Sequence, residues 1–453
     1  MSVTLFSGRV RPPALRRLLC AAAAAPMLLA TAASATPTYS ILYNFTDTAA
    51  GGDPTQITGH LANPSDPSSW TLFGTTKYGG NIVGTSCGGT GCGTVYQLTP
   101  PATGSTSWTP ATLYTFNGDT DGANPAAGVA FDQAGVLYGT TLAGGSGIGT
   151  GGNGTVFRLT PQAGTGAWTK TVLHRFNTAN DAAYLLGGVL IGGDGSLYGT
   201  GFEGGKLGGG AIYRLTPPAA GKTAWPEQLL RSFTGYAGGG TPESALIADT
   251  SGALYGTVAT GAKYSQGAVV KLTPPAAGKI AWVPSILYDF NGPRGSNPTA
   301  GLIADTSGAL YGTTPAGGAN SWGTVFKLAP PASGKTAWTQ TVLYSFTGGS
   351  DGGVVSGPVI ADASGALYGI TSQGGDTTCQ SGSGCGTVFK LTPPRSAAGR
   401  WKLTVLHVFS GPGDGIPYSG VQSGLVMDPG GALYGTTFGG GASNYGTVFK
   451  ITQ

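Results

Sequence analysis

Charge is scarce in this sequence. Asp, Glu, Lys and Arg together make up only 9% of the residues, against roughly 25% in an average globular domain. Histidine is scarcer still, at three. Apart from the N-terminal segment, no stretch approaches the roughly 20 apolar residues of a membrane span, and none shows a sustained helical period. Neither a Walker-type phosphate loop nor a His-Glu-x-x-His zinc motif is present. Gly-x-Ser-x-Gly occurs at Gly84–Gly88 and Gly348–Gly352, but neither copy precedes the helix that a nucleophile elbow needs. In a chain with 83 glycines, chance accounts for both.

What is present is Gly, Thr and a 40% hydrophobic content. A disordered chain needs high net charge and few apolar residues. This composition fits short strands joined by many tight turns.

The N-terminus reads as an export signal. Arg9, Arg11, Arg16 and Arg17 precede the apolar run 18–30, and Ala33-Ser34-Ala35 offers a small-x-small cleavage site. Residues 1–35 are expected to be removed, leaving one domain over 36–453 in the periplasm or the medium. Those four arginines account for the whole net charge of +4, because no acidic residue accompanies them. The mature chain is therefore neutral, and a basic footprint for nucleic acid goes with the signal.

Four cysteines remain: Cys87, Cys92, Cys379 and Cys385. In an oxidising compartment an even set points to bridges. Cys92 and Cys385 each precede a Gly-Thr-Val, and each has a partner five or six positions upstream in the matching Gly-rich loop. Cys87–Cys92 and Cys379–Cys385 are the expected pairs. The competing four-cysteine metal site has no His near it and the wrong compartment. No metal and no cofactor are expected.

The chain is one unit written seven times. LYxF-type runs start at Leu42, Leu113, Leu173, Leu230, Leu287, Leu343 and Leu406, at intervals of 56 to 71 residues. Each is followed by a short apolar run such as GLIAD at Gly301, then by LYGTT or a near-copy, then by a GTVFKL-type run. All four are short, rich in β-branched and aromatic residues, and bounded by Gly or Pro. Between the second and third runs Asp-x-x-Gly recurs, as at Asp132–Gly135, Asp249–Gly252, Asp305–Gly308, Asp362–Gly365 and Asp428–Gly431. Such an Asp accepts from the following backbone N–H groups while Gly takes the positive φ that closes a hairpin. Five matched aspartates suggest calcium at first sight, but the turn accounts for them. The first unit departs with an insertion at 63–70, and the third with Gly192 in the Asp position.

Four antiparallel strands per unit, seven times, predict an all-β seven-bladed propeller. The mature chain begins on an LYxF strand and ends on a GTVFKL strand. With LYxF outermost, the last blade lacks a strand that residues 42–45 supply, which closes the ring and removes both edges. LYGTT then belongs to the scaffold: Leu and Tyr pack between blades, Gly allows close approach, and Thr suits a crowded strand.

The succession LYxF, Asp-Gly-x-x-Pro, Ala-Asp-x-x-Gly-x-Leu-Tyr-Gly-Thr-Thr, Gly-Gly and Gly-Thr-Val-Phe-Lys-Leu resembles the "GloVer" tandem repeat of exported bacterial proteins, over residues 41–452. The resemblance implies an exported repeat protein and brings no catalytic residues with it. Some such proteins end in a sorting anchor, and this chain ends on its last repeat.

Function on this scaffold is expected in the loops that differ between repeats, after LYxF and after LYGTT. Their irregular aromatics, Tyr78, Phe202, Tyr264, Trp322, Phe438 and Tyr445, are candidates for stacking against sugars; the competing reading is local cover for Gly-rich backbone. The regular Trp108, Trp168, Trp225, Trp282, Trp338 and Trp401 read as scaffold. Of the histidines, His174 and His407 replace the Tyr of LYxF, while His60 lies in the first inner strand as a candidate channel-facing residue. Asp119, Asp121, Asp181, Asp351, Asp376, Asp414 and Glu203 lie on the same loops, but no spacing selects a general acid–base pair. The leading expectation is a non-enzymatic protein binding a glycan or another cell-surface component. The rivals are a polysaccharide hydrolase or lyase on the same ring and a purely structural extracellular protein.

Overall fold

The computed structural model describes residues 36–46, 51–63, 65–66, 69–80, 87, 89–102, 104–145, 152–176, 180–236, 238–396, 399–418 and 423–453. The expected export signal, residues 1–35, lies outside the described residues. Among the described residues no helix is long and apolar enough to cross a membrane.

The strands form seven blades arranged as a closed propeller. The fifth shows the plan: Ile303–Ala304 innermost, then Leu310–Thr314, Thr324–Ala329 and Thr339–Ser345 at the rim, each antiparallel to the next. The LYxF run is thus the outer strand, and each sequence repeat straddles two blades. The seventh blade takes its outer strand from the start of the chain. Thr38–Asn44 pairs antiparallel with Thr447–Thr452, from Thr38↔Thr452 to Asn44↔Thr447. Outside this plan, Ala182–Ala183 pairs with Glu203–Gly204.

The core lies between blades. Its largest repeated element is the Phe of LYxF: Phe45, Phe116, Phe176, Phe233, Phe290, Phe346 and Phe409 are each 1% exposed or less. One cluster joins Tyr255, Val269 and Phe290 of the fourth blade to Leu310 and Phe326 of the next. At roughly 1.5–3 kcal/mol per buried side chain of this size, such layers hold neighbouring blades together.

Every residue of LYGTT has a task in this packing. In the fifth blade Leu310 is core, and the Tyr311 hydroxyl donates to Asp305 at 3.0 Å. Gly312 leaves room for the Phe326 ring, since a Cβ there would stand 2.7 Å from its tip. The first Thr reaches the next blade: Thr313 Oγ1 donates to the Gly357 carbonyl at 3.0 Å. Thr75, Thr140, Thr200 and Thr257 do the same to Ala127, Gly187, Ser244 and Ala300. The second Thr pairs hydroxyl to hydroxyl with the third strand, as Thr314 does with Thr324 at 2.9 Å. The sixth blade, LYGIT, carries Ile370 at the first Thr position, and it is buried.

The Asp turns form as expected. Asp305 Oδ1 accepts from Ser307 N and Ala309 N at 2.9 and 3.0 Å, with Gly308 at φ +78°. These bonds, with the Ser307 and Tyr311 hydroxyls, hold the Asp305 carboxyl below its ordinary range against the opposing cost of burial. In the third blade Asp194 substitutes, accepting from Ser196 N and pairing with Arg214 at 2.6 Å. The Lys of GTVFKL caps the Tyr of LYGTT, with Lys327 Nζ 5.1 Å from the Tyr311 ring centre.

Candidate functional site

The loops after LYxF and after LYGTT emerge at the same end of every blade, and the backbone laces them together. Ser296 bridges Ala316, Gly240 bridges Thr260, and Ile416 bridges Gly439. Both disulfides lie on this face. Cys87–Cys92 staples the second-to-third loop of the first blade, and Cys379–Cys385 staples that of the sixth.

The expected aromatics are dispersed over this face, and among the described residues no ring contact joins any two of them. Trp322 lies on glycine backbone: a Cβ on Gly348 would fall 2.3 Å from its indole, and one on Gly353 2.8 Å. Phe438 is half-buried against Tyr418, edge to face at 5.8 Å. Phe202 is half-buried, its backbone N–H donating to the Tyr184 carbonyl. Tyr78 is half-buried, with Lys77 Nζ 5.4 Å from its ring. Tyr264 and Tyr445 are the members of the set that stand out, at 47% and 38% exposed.

Three further tyrosines join them from the loops after LYxF: Tyr184, Tyr236 and Tyr418, at 40%, 80% and 42% exposed. The aromatics expected from the sequence all fall in the loops after LYGTT and do not include these three. Their signal in the sequence is an aromatic within the outer-to-inner loop, at no fixed offset. Tyr236 and Tyr264 come together on one laced pair of loops. Ala262 N–H donates to the Tyr236 carbonyl at 2.8 Å, and Lys263 Nζ lies 5.0 Å from the Tyr264 ring.

His60 lies at the end of the first inner strand, opposite Thr71. Gly59 faces Leu72 as Ala304 faces Leu310, so His60 holds the register of the turn aspartates. Its ring stacks on Phe131 of the second blade at 4.2 Å, and burial lowers its pKa. The regular tryptophans pack against neighbouring blades, as Trp282 does edge-on to Tyr198 and Trp338 to Tyr255.

Two clefts lie by the Asp turns, away from the tyrosine face. One of about 450 Å³ runs between the Asp305 and Asp362 turns, and one of about 480 Å³ is lined by Asp132 and Ile191 at the corresponding place between the second and third blades. A smaller one of about 230 Å³ lies at the rim, between Arg231 and Pro284.

Four of the acidic loop residues, Asp121, Asp181, Asp351 and Asp414, sit beside outer strands at the rim. Asp121 accepts from the Tyr114 hydroxyl and forms a 2.6 Å ion pair with Lys170 of the next outer strand. Burial lowers the Lys170 pKa to about 8, and Asp121 opposes that shift. Asp351 accepts from Tyr344, and Asp414 stands 3.1 Å from His407 Nε2. His407 also stacks on Tyr39 of the closing strand at 3.8 Å. Asp181 neighbours His174 and Glu227. Burial first, and then Asp181, raise the Glu227 pKa to about 8, while burial lowers that of His174.

Two solved structures are similar to the chain at low identity. A protein described as an oxidoreductase (glucose dehydrogenase) from Thermus thermophilus is 16% identical, over 72% of this chain and 96% of its own, with a TM-score of 0.40. One described as a 6-phosphogluconolactonase from Bacteroides uniformis is 14% identical, over 84% of this chain and 89% of its own, with a TM-score of 0.46. No curated protein matches the chain. The Gloeobacter/Verrucomicrobia repeat profile matches residues 29–257 and 241–453. Between them the two matches span all seven LYxF-to-GTVFKL units, and the chain belongs to the Gloeobacter/Verrucomicrobia repeat family.

Proposed function

We propose that the protein is exported and acts as a non-catalytic binding module, taking a glycan or another surface component on the face built by the laced loops. The observation that carries this reading is the pair Tyr236 and Tyr264, exposed on two loops that the Ala262–Tyr236 backbone bond ties together. Tyrosine offers a flat apolar body with a polar tip and few rotamers to freeze, which suits stacking plus hydrogen bonding. The ring beneath them fixes their spacing, so little ordering cost remains to be met on binding. An open face with spaced rings fits an extended polymer better than a small metabolite, which calls for a concave pocket. Export rests on the Arg-led apolar segment and on four cysteines that are all in disulfides.

A glycan array probed with the purified protein tests this, followed by product analysis on each hit. Binding without cleavage is expected, and Tyr236→Ala with Tyr264→Ala should weaken it at least tenfold. Unchanged affinity in the double variant would overturn the site. New reducing ends or unsaturated products would replace the reading with a polysaccharide-cleaving enzyme.

A further inference from the structure

At two successive blade junctions the matched rim positions hold different chemistry. Between the first and second blades they hold Tyr114 from LYxF, Asp121 from the following loop, and Lys170 two positions after Trp168 in the next outer strand. Lys170 brings a cation into the junction, 2.6 Å from the Asp121 carboxylate. Between the second and third blades the same three positions hold His174, Asp181 and Glu227, the last two positions after Trp225. The ammonium has been replaced by a second carboxylate, and the phenol by an imidazole.

These side chains converge. One ligand-type atom from each lies within 4.8 Å of the other two. His174 Nδ1 is 3.1 Å from the Trp225 carbonyl, which can only accept, so Nδ1 carries the proton and Nε2 the lone pair. That Nε2 is buried without a hydrogen-bond partner and faces Glu227 Oε2 at 3.8 Å. The separation is too long for a hydrogen bond. It is close to the roughly 3.4 Å between two ligands that share a tetrahedral zinc ion with bonds of about 2.0–2.1 Å. A backbone carbonyl that fixes the tautomer of a histidine is also the usual support behind a metal-ligating imidazole.

We infer that His174, Asp181 and Glu227 form a binding site for a divalent transition ion of the zinc class, set between the second and third blades where the preceding junction holds the Lys170 ammonium. One imidazole nitrogen and two carboxylates make a borderline donor set, which suits zinc better than calcium, whose sites are built of six to eight oxygens. The ion would tie two outer strands and the loop between them, the task that the Asp121–Lys170 pair performs at the preceding junction. This departs from the sequence-based expectation of no metal. It is independent of the tyrosine face, so either proposal can fail alone.

The purified protein, stripped with chelator and titrated with zinc chloride by calorimetry, should take up one equivalent. E227K, which restores the ammonium of the preceding junction, should keep the fold by circular dichroism and bind zinc 10- to 100-fold more weakly or not at all. H174Y, which restores the ordinary repeat residue, provides the same test should E227K fail to fold. Cobalt in place of zinc should give a visible spectrum of nitrogen–oxygen ligation that is lost in both variants. The inference is overturned if the wild type takes up no zinc, if it takes up calcium in preference, or if a folded variant binds zinc as tightly as the wild type.

Discussion

Thr436 and Thr55 are 381 positions apart in sequence, yet the Thr436 hydroxyl donates to the Thr55 carbonyl at 2.5 Å. It is the same bond that Thr313 makes to Gly357, so the seam of the ring is built like its other junctions. Thr436→Val should leave the carbonyl unpaired and cost about 1–2 kcal/mol in urea melts. Removing residues 38–46 should do far more. Phe45 leaves the core and Thr447–Thr452 becomes an open edge. Size-exclusion chromatography is expected to show aggregates, and a monodisperse monomer with an unchanged melting temperature would contradict the closure.

Gly312 and Gly256 hold the same place in LYGTT and should respond differently to alanine. At Gly312 a Cβ meets both the Phe326 ring and Leu302 within 2.8 Å. At Gly256 it meets only the end of the Leu246 side chain, because the third strand has Val270 where the next has Phe326. G312A should cost about 1–3 kcal/mol or more, the range for overpacking, and G256A clearly less. Equal losses in chemical denaturation would show that the ring contact does not set the need for glycine.

Burial raises the Glu243 pKa to about 7, from an ordinary 4.5. Between those values the folded protein holds a proton that the unfolded chain has released. This contribution to stability is therefore full below pH 4.5 and declines as the pH rises toward 7. The stability difference between wild type and E243Q should change over that window and level off above it. A difference that stays constant from pH 4 to 8 would contradict the shift.

Lys170 is held in the junction by Asp121, with a side chain only 4% exposed. Asp121→Asn leaves a buried ammonium without its counter-ion, which typically costs about 3–5 kcal/mol. Adding Lys170→Met should restore much of the loss. A double-mutant cycle with no coupling would show the pair to be incidental.

Each disulfide closes a loop of only five or six residues. On chain-entropy grounds such a loop contributes about 2 kcal/mol. Cys379→Ser with Cys385→Ser should therefore lower the melting temperature modestly while the ring persists. Alkylation of the denatured wild type should find neither cysteine of the pair free.

The architecture was legible because strand, turn and repeat signals all had the same period. The LYxF strand at the chain start and the GTVFKL strand at its end were enough to anticipate the closing pair Thr38–Asn44 and Thr447–Thr452. Contacts between blades were less legible. Nothing in LYGTT says that its first Thr reaches a neighbour's carbonyl, since spacing within a strand does not reveal its register to the next sheet. His60 illustrates the same limit. Pairs down to Leu61↔Trp70 lengthen the first hairpin and bring His60 to an aspartate's position. Glu227 carries no signal of its own in the sequence, lying in an outer strand two positions after a regular tryptophan. Its meaning appears only beside Lys170 in the preceding junction.

The closing strand has a mechanical consequence. Thr38 pairs with Thr452, so the first and last paired residues of the ring sit side by side. A pull applied at the two ends would load one hydrogen-bonded pair at a time, peeling the strand like a zipper instead of shearing all pairs at once. Tethered by both ends, the molecule would yield at this seam under low force; held by one end alone, it would carry no load through the seam.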